Sequence, residues 1–279
     1  MMRKANYEAK YFGITVDTTK SGVSASDQFQ FTGAQGAYDV DALQNGIIVQ
    51  SYQNLLDQAT ITLPSSGTYQ LRVYAKPSNG FNRIEFANSG DKLKLMSIDN
   101  WGDIVWSSFE VAFHFCRNMV GNFTDKPNLS QVTDISSMFR RCDLFNTNIN
   151  DWDVSNVTDM SFMFQFSVSF NQPLNSWDVS NVIGMRDMFR DALIFNLDIG
   201  NWGDIVWSSF SNAFFVCPNM TGNFTDAPNL SQCSSLVNTF NACSSFNHPI
   251  NNWDVSNITS MINTFRGSGF NQPLNNWDV

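Results

Sequence analysis

The sequence predicts a repeat solenoid of short parallel strands and short helices, preceded by a small all-β sandwich. Three observations carry this expectation. Phe113, Phe139, Phe164, Phe189, Phe214, Phe240 and Phe265 follow one another at intervals of 25 or 26 residues. The phrase "FNQPLNSWDVSNV" at Phe170 returns as "FNQPLNNWDV" from Phe270. Before about residue 90 that period is absent, and short alternating runs separated by turn signals take its place.

A second ladder runs in step with the first, through Met119, Phe145, Phe170, Phe195, Met220, Phe246 and Phe270. Trp101, Trp152, Trp177, Trp202, Trp253 and Trp277 form a third. The two coils around "GNFTDKPNLSQ" and "GNFTDAPNLSQ" lack the Trp and belong to a longer duplication, because "NWGDIVWSSF" at Asn100 recurs at Asn201. A single coil leaves its apolar face open, and a neighbour of the same spelling covers it. The expected structural ladder is therefore the seven phenylalanines with Trp152, Trp177, Trp202 and Trp253.

Within a coil, Met160, Met163 and Phe164 stand at i, i+3 and i+4, the spacing of one helical face. Thr133, Thr158, Ser208 and Thr259 sit two residues before such triplets, where a helix cap belongs; Ile183 is the exception. Leu174, Trp177 and Val179 then read as an extended segment. Seven coils stacked at about 4.8 Å per layer give a rod roughly 35 Å long. The expected boundaries are residues 1-90 for the sandwich, which docks and caps, and 91-279 for the solenoid. In the first segment "ATITLP", "TYQLRVYAK" and "NRIEFAN" are the expected strands, and "KLKLMSI" the first rung.

The chain has 279 residues, 43% hydrophobic and 14% aromatic, enough to bury a core. Its formal net charge of -9 lacks the basic footprint that nucleic-acid or anionic-membrane binding needs. No window reaches the length of a membrane span, and the amino terminus "MMRKANYEAK" meets Asn6 and Glu8 before any apolar run, so no secretory leader is expected. The sequence stops at Val279 inside the repeated phrase, which leads to the expectation of either a cut chain or a covering subunit.

The chemistry expected of these residues is structural. His114 and His248 fall at different positions of different coils and read as ordinary coil residues. Cys116, Cys142, Cys217 and Cys243 each stand three residues after a ladder Phe, where other coils place Ser167, Ala192 and Ser268. Neighbouring coils bring Cys116 near Cys142 and Cys217 near Cys243; free buried thiols are favoured over disulfides, and Cys233 has no partner in either case. Asp153, Asp178 and Asp254, with Asp278, form a file of carboxylates. An Asp before Val-Ser-Asn shapes its own turn, and that reading outweighs a calcium site on the same residues. The acceptor triplets for glycosylation are by-products of the repeat. No nucleophile–base pair, phosphate loop or zinc spacing appears, so no catalytic residue and no cofactor is expected, and the chain reads as a non-enzyme.

The unit "FNQPLNxWDVSNVTxMxxMF" resembles the 26-residue bacterial surface-protein repeat, a distant leucine-rich-repeat-like family found in surface lipoproteins and in proteins of phages and large viruses. The resemblance covers Asp91 to Val279. "SASDQFQF", "SSGTYQLRVYA" and the run from Asn82 resemble a polycystic-kidney-disease-type, immunoglobulin-like module, with "VDALQNG" at Val40–Gly46 where that family carries a different turn. The resemblance implies a non-enzymatic structural or adhesive protein. The expected setting is the exterior of a phage virion, as a tail, fibre or head-surface component that touches other virion proteins, copies of itself, or a host cell-surface glycan or protein. A bacterial cell-surface adhesin is the alternative, and a carbohydrate-binding protein or depolymerase the weaker one. No nucleic acid and no membrane insertion is expected.

Overall fold

A computed structural model describes residues 11–196, 202, 206–222, 224 and 227–278. The first ten residues of the expected amino-terminal module, part of the copied block beginning at Asn201, part of the second "GNFTD" phrase, and the terminus at Val279 lie outside the described residues.

Eight strands form: β1 (Phe12–Asp17), β2 (Gln28–Gln30), β3 (Ala37–Gln44), β4 (Ile47–Leu56), β5 (Thr60–Thr62), β6 (Thr68–Ala75), β7 (Leu95–Asn100) and β8 (Val120–Gly121). Six of them make one mixed sheet in the order β4-β3-β6-β1-β7-β8, and β2 pairs with β5 in a small sheet of two. All pairings are antiparallel except β7 with β8. Alternation explains the buried face. Phe12, Ile14 and Val16 of β1 lie opposite Val73, Leu71 and Tyr69 of β6, and all six are buried. β3 and β4 are joined by Asn45 and Gly46 at φ 50° and 76°, the left-handed pair that a two-residue hairpin requires.

The expected fold class is corrected at both ends. The immunoglobulin-like sandwich is replaced by the mixed six-stranded sheet with its small companion. "NRIEFAN" forms no strand, although its alternation does bury Ile84 and Phe86. The solenoid of short parallel strands and short helices does not form either. Among the described residues there is no helix, and parallel pairing in the coils shrinks to β7–β8 and the single bridges Val105–Asn128, Asp134–Asp159, Asp159–Gly184, Val206–Asn229 and Ser235–Ser260.

Backbone geometry shows why the triplet is not helical. Each coil places two residues in the left-handed region, four apart, on either side of the ladder Phe. Val111, Ser137, Phe162, Asp187, Asn212, Asn238 and Asn263 form one series; Phe115, Arg141, Phe166, Asp191, Val216, Ala242 and Gly267 form the other. Successive N–H groups then point alternately. Met163, Gln165 and Ser167 donate three residues back, to Met160, Phe162 and Phe164, as tight turns do. Met160, Phe162, Phe164 and Phe166 donate to the carbonyls of Gly184, Arg186, Met188 and Arg190 in the next coil, at 2.7 to 3.0 Å. A helix would keep every N–H inside its own segment. Here half of them tie one coil to the next.

The residues expected to cap helices serve the same lateral bonding. Thr158 and Thr259 donate through Oγ1 to the carbonyls of Thr133 and Ser234 in the preceding coil, each at 3.1 Å, and Ser208 donates to Ile183 in the same way. The Trp177 segment is also built of turns, with Trp177 N–H on Leu174 and Val182 N–H on Val179.

Candidate functional site

The interior of the coils is a stack of equivalent rings. From Phe113 to Phe265, each ladder Phe lies 5.6 to 6.0 Å from the next, with interplanar angles of 2° to 17°. The centroids are farther apart than the strand-like layer spacing because the rings are offset, a geometry that aromatic quadrupoles favour. The second ladder fills the same space: Phe139–Phe145, Phe164–Phe170 and Phe240–Phe246 stack within single coils at 4.0, 3.8 and 3.9 Å. Phe113 to Phe240 are buried, while Phe265 in the final coil is partly buried. Trp152, Trp177, Trp202 and Trp253 are also buried. Trp177 and Trp202 stack at 6.4 Å, and their Nε1 groups donate to Ile149 and Leu174 in the preceding coil at 2.9 and 3.3 Å. In the first Trp-less coil Phe123 packs on both Trp101 and Trp152, 5.5 and 6.1 Å from their rings, which meet each other edge-on at 5.3 Å.

The recurrent polar letters of the phrase are joints between coils. Asn146, Asn171 and Asn196 each accept, through Oδ1, the backbone N–H of Asn171, Asn196 and Thr221 one coil on, at 2.8 to 2.9 Å. Asn150 and Asn251 do the same for Ser176 and Asn276. Asn156, Asn181 and Asn257 reach back to the carbonyls of Ser130, Ser155 and Ser231.

The file Asp153, Asp178 and Asp254 is turned onto its own coils. Each Oδ1 accepts the N–H of Ser155, Ser180 or Ser256, at 3.3, 3.1 and 3.0 Å, and hydrogen bonds from the serine hold each carboxyl below the usual Asp range. The structure does not bring them together as an ion site: among the described residues no group of three or more His, Cys, Asp or Glu side chains is placed to hold a metal. A hollow lined by Asp125, Lys126, Asp151 and Asp153 is spoken for in part, since Asp125 accepts the N–H groups of Trp101 and Gly102 and Lys126 donates to the Asp151 carbonyl.

All five cysteines are free and buried. The small residue three places after the ladder Phe has a further role that spacing did not reveal: it donates to the carbonyl of the previous coil's ladder Phe. Cys142, Ser167, Cys217 and Cys243 bond Phe113, Phe139, Phe189 and Phe214 at 3.1, 2.5, 2.8 and 2.9 Å. The alternation of Ser with Cys is the signal that could have shown it, since both are small and both carry a donor. Burial raises the thiols of Cys116, Cys142, Cys217 and Cys243 far from reactivity, Cys243 to about 12. His114 and His248 lie on separate coils; burial lowers both, His114 to about 4 with help from the charges of Arg140, Lys92 and Arg141.

Outside the core, two columns of alternating cations and rings run along the coils, and no motif in the sequence marks them. Phe162 lies between Arg140 and Arg186, at 5.5 and 5.9 Å. Phe115 lies between Lys92 and Arg141, at 5.7 and 5.2 Å, and Phe166 between Arg141 and Arg190, at 4.2 and 5.9 Å. The coil repeat brings these residues into register although they are widely separated in sequence.

Fold and site together define a protein of laterally bonded, turn-built coils on a stacked aromatic interior. The family described as "Mycoplasma protein of unknown function, DUF285" matches residues 107–214 and 208–279, and the chain belongs to that family. No curated protein and no solved structure matches the chain.

Proposed function

We infer that the chain is a non-enzymatic structural and adhesive protein carried on an exterior surface, that of a phage virion or of a bacterial cell. There it makes contacts with copies of itself or with other surface proteins, or binds a glycan or protein of a host. The observation that carries this reading is how the repeat uses its residues. Phe, Trp, Asn, Asp, Ser and Cys of the phrase each make a contact within a coil or between coils. Residues outside these positions take no part in the ring stack, which suits a scaffold that varies its outer face.

Two further features support contact-making. β4 is an edge strand with Ile47, Ile48 and Leu56 exposed, an arrangement open to strand pairing. The columns of arginine and phenylalanine provide a charged outer face. Of the two addresses, the family's description as a Mycoplasma protein favours the bacterial cell. No helix among the described residues is long and apolar enough to cross a membrane.

Mass spectrometry of purified virus particles and of cell-envelope fractions, combined with protease shaving of intact particles and cells, tests the reading. Enrichment in one of them, with peptides released by shaving, is the expected result. Recovery only from the soluble lysate overturns it.

A further inference from the structure

We propose that the Arg140–Arg141 face, with its interleaved phenylalanines, is a binding surface for a linear acidic polysaccharide. The assignment deepens the surface reading above and rests on it for the kind of partner. Arg140 and Arg141 are adjacent, and among the described residues neither guanidinium has an ion pair or a hydrogen bond; the Arg140 Nε is buried without an acceptor. Two guanidinium forks without acceptors, held by ring contacts, are prepared to receive anionic oxygens bidentately. The rings fix their pose: Arg141 lies over both Phe115 and Phe166, and Arg140 over Phe162.

Asp187 acts on Arg140 and Asp191 on Arg141 through space, but the nearby carboxylates are bonded to other arginines. Asp187 is buried and already receives Arg186 Nε at 3.0 Å and Arg190 Nη1 at 3.3 Å; Asp191 receives Arg190 Nε at 3.3 Å; Asp143 is held by Arg117 at 2.6 Å. The excess positive charge is confined to a narrow file that follows the coil axis, in a chain of net charge -9. A duplex or an anionic bilayer presents a broad, densely charged surface that the acidic remainder of the chain repels. A single chain carrying carboxylates or sulfates along its length meets only the file, passing over the half-buried rings of Phe115, Phe162 and Phe166, whose faces the cations already cover.

Calorimetric titration of the full chain with polygalacturonate, dextran sulfate, neutral dextran and poly-glutamate tests the proposal. The expected result is binding to one or both anionic polysaccharides, weakening as salt screens the charges, and none to neutral dextran. Arg140→Gln with Arg141→Asn should weaken it by about tenfold or more. Gln occupies the position of Arg140 in the next coil, at Gln165, and Asn tolerates the left-handed backbone of residue 141. The charge-matched pair Lys20→Gln with Lys126→Gln, on exposed side chains away from the face, should leave affinity within about twofold. Arg186→Gln removes one of the two arginines on the buried Asp187 and leaves Arg190 there, so its fold is checked by thermal unfolding alongside the titration; it should also weaken binding. No binding to either anionic polysaccharide, equal loss in the control pair, or tighter binding to poly-glutamate overturns the assignment. If polymer binding fails while shaving still places the chain on a surface, the glycan assignment falls and the surface reading stands.

Discussion

Lys94 and Asp91 form an ion pair wholly inside the protein, with Nζ 3.6 Å from Oδ2 and side chains 1% and 0% exposed. Both ends are fully bonded. Asp91 accepts the N–H groups of Val23, Ser24 and Gln30 and the Ser24 hydroxyl, while Lys94 Nζ donates to the carbonyls of Ser24, Ala25 and Gln28. The pair therefore pins the segment before β2 to the strand that enters the coils. Removing one partner leaves a buried charge uncompensated, so Lys94→Met should cost about 3–5 kcal/mol. Urea unfolding measures it, and a loss below about 1 kcal/mol would mean that the pair is not desolvated.

The continuous ring stack makes a different demand, since each ladder Phe in its middle is covered from both sides. Phe189 lies between Phe164 and Phe214, at 5.8 and 5.6 Å, and stacks on Phe195 of its own coil at 4.1 Å. Replacing Phe189 by Ala opens a void in mid-stack and should cost about 3–5 kcal/mol. The partly buried Phe265 should cost less when cut to Ala. Thermal and urea unfolding of the two variants compare them directly, and equal losses would contradict a stack that is covered on both sides only in its middle.

Val216 is the β-branched member of its left-handed series and carries the most backbone strain in it. Its φ is 59°, while Gly267 occupies the equivalent position at φ 68°. Its N–H bonds the Asn241 carbonyl at 2.9 Å, so lateral bonding holds the left-handed turn in place. Val216→Gly should raise stability by up to about 1 kcal/mol, with relief of the strain outweighing the added freedom of the unfolded chain. A fall in the unfolding midpoint would show that Val216 packing matters more than its backbone.

The ladder positions were legible because equivalent rings recur at a fixed interval, and stacking like on like is what such an interval produces. Local conformation was not. Met160, Met163 and Phe164 span a single turn, and spacing of three and four over so short a window fits a tight turn as well as a helix. The left-handed residues that decide between them are Phe162 and Phe166 in that coil, which leave no mark in the sequence; Asn212, Asn238, Asn263 and Gly267 at the equivalent positions of later coils are the signal that could have shown the turn. The β3–β4 hairpin left such a signal too, at Asn45-Gly46. The cation–ring columns were hidden for a third reason: Arg141 meets Phe115 and Phe166 only through the register of successive coils.

His114 gives the fold a pH dependence whose sign follows from burial. Its folded pKa is lowered to about 4 from 6.5, chiefly because burial disfavours the charged ring, and Arg140, Lys92 and Arg141 add to this by repulsion. Between those values the unfolded chain binds a proton that the folded chain does not. Stability is therefore full above about pH 6.5, declines as pH falls, and has lost this contribution near pH 4. His248 is lowered in the same direction by burial and adds to the slope. His114→Gln with His248→Gln should flatten the urea midpoint between pH 6.5 and 4, because glutamine stands at the equivalent coil positions, Gln165 and Gln172, and does not titrate. An unchanged slope in the double variant would assign the acid sensitivity to other groups.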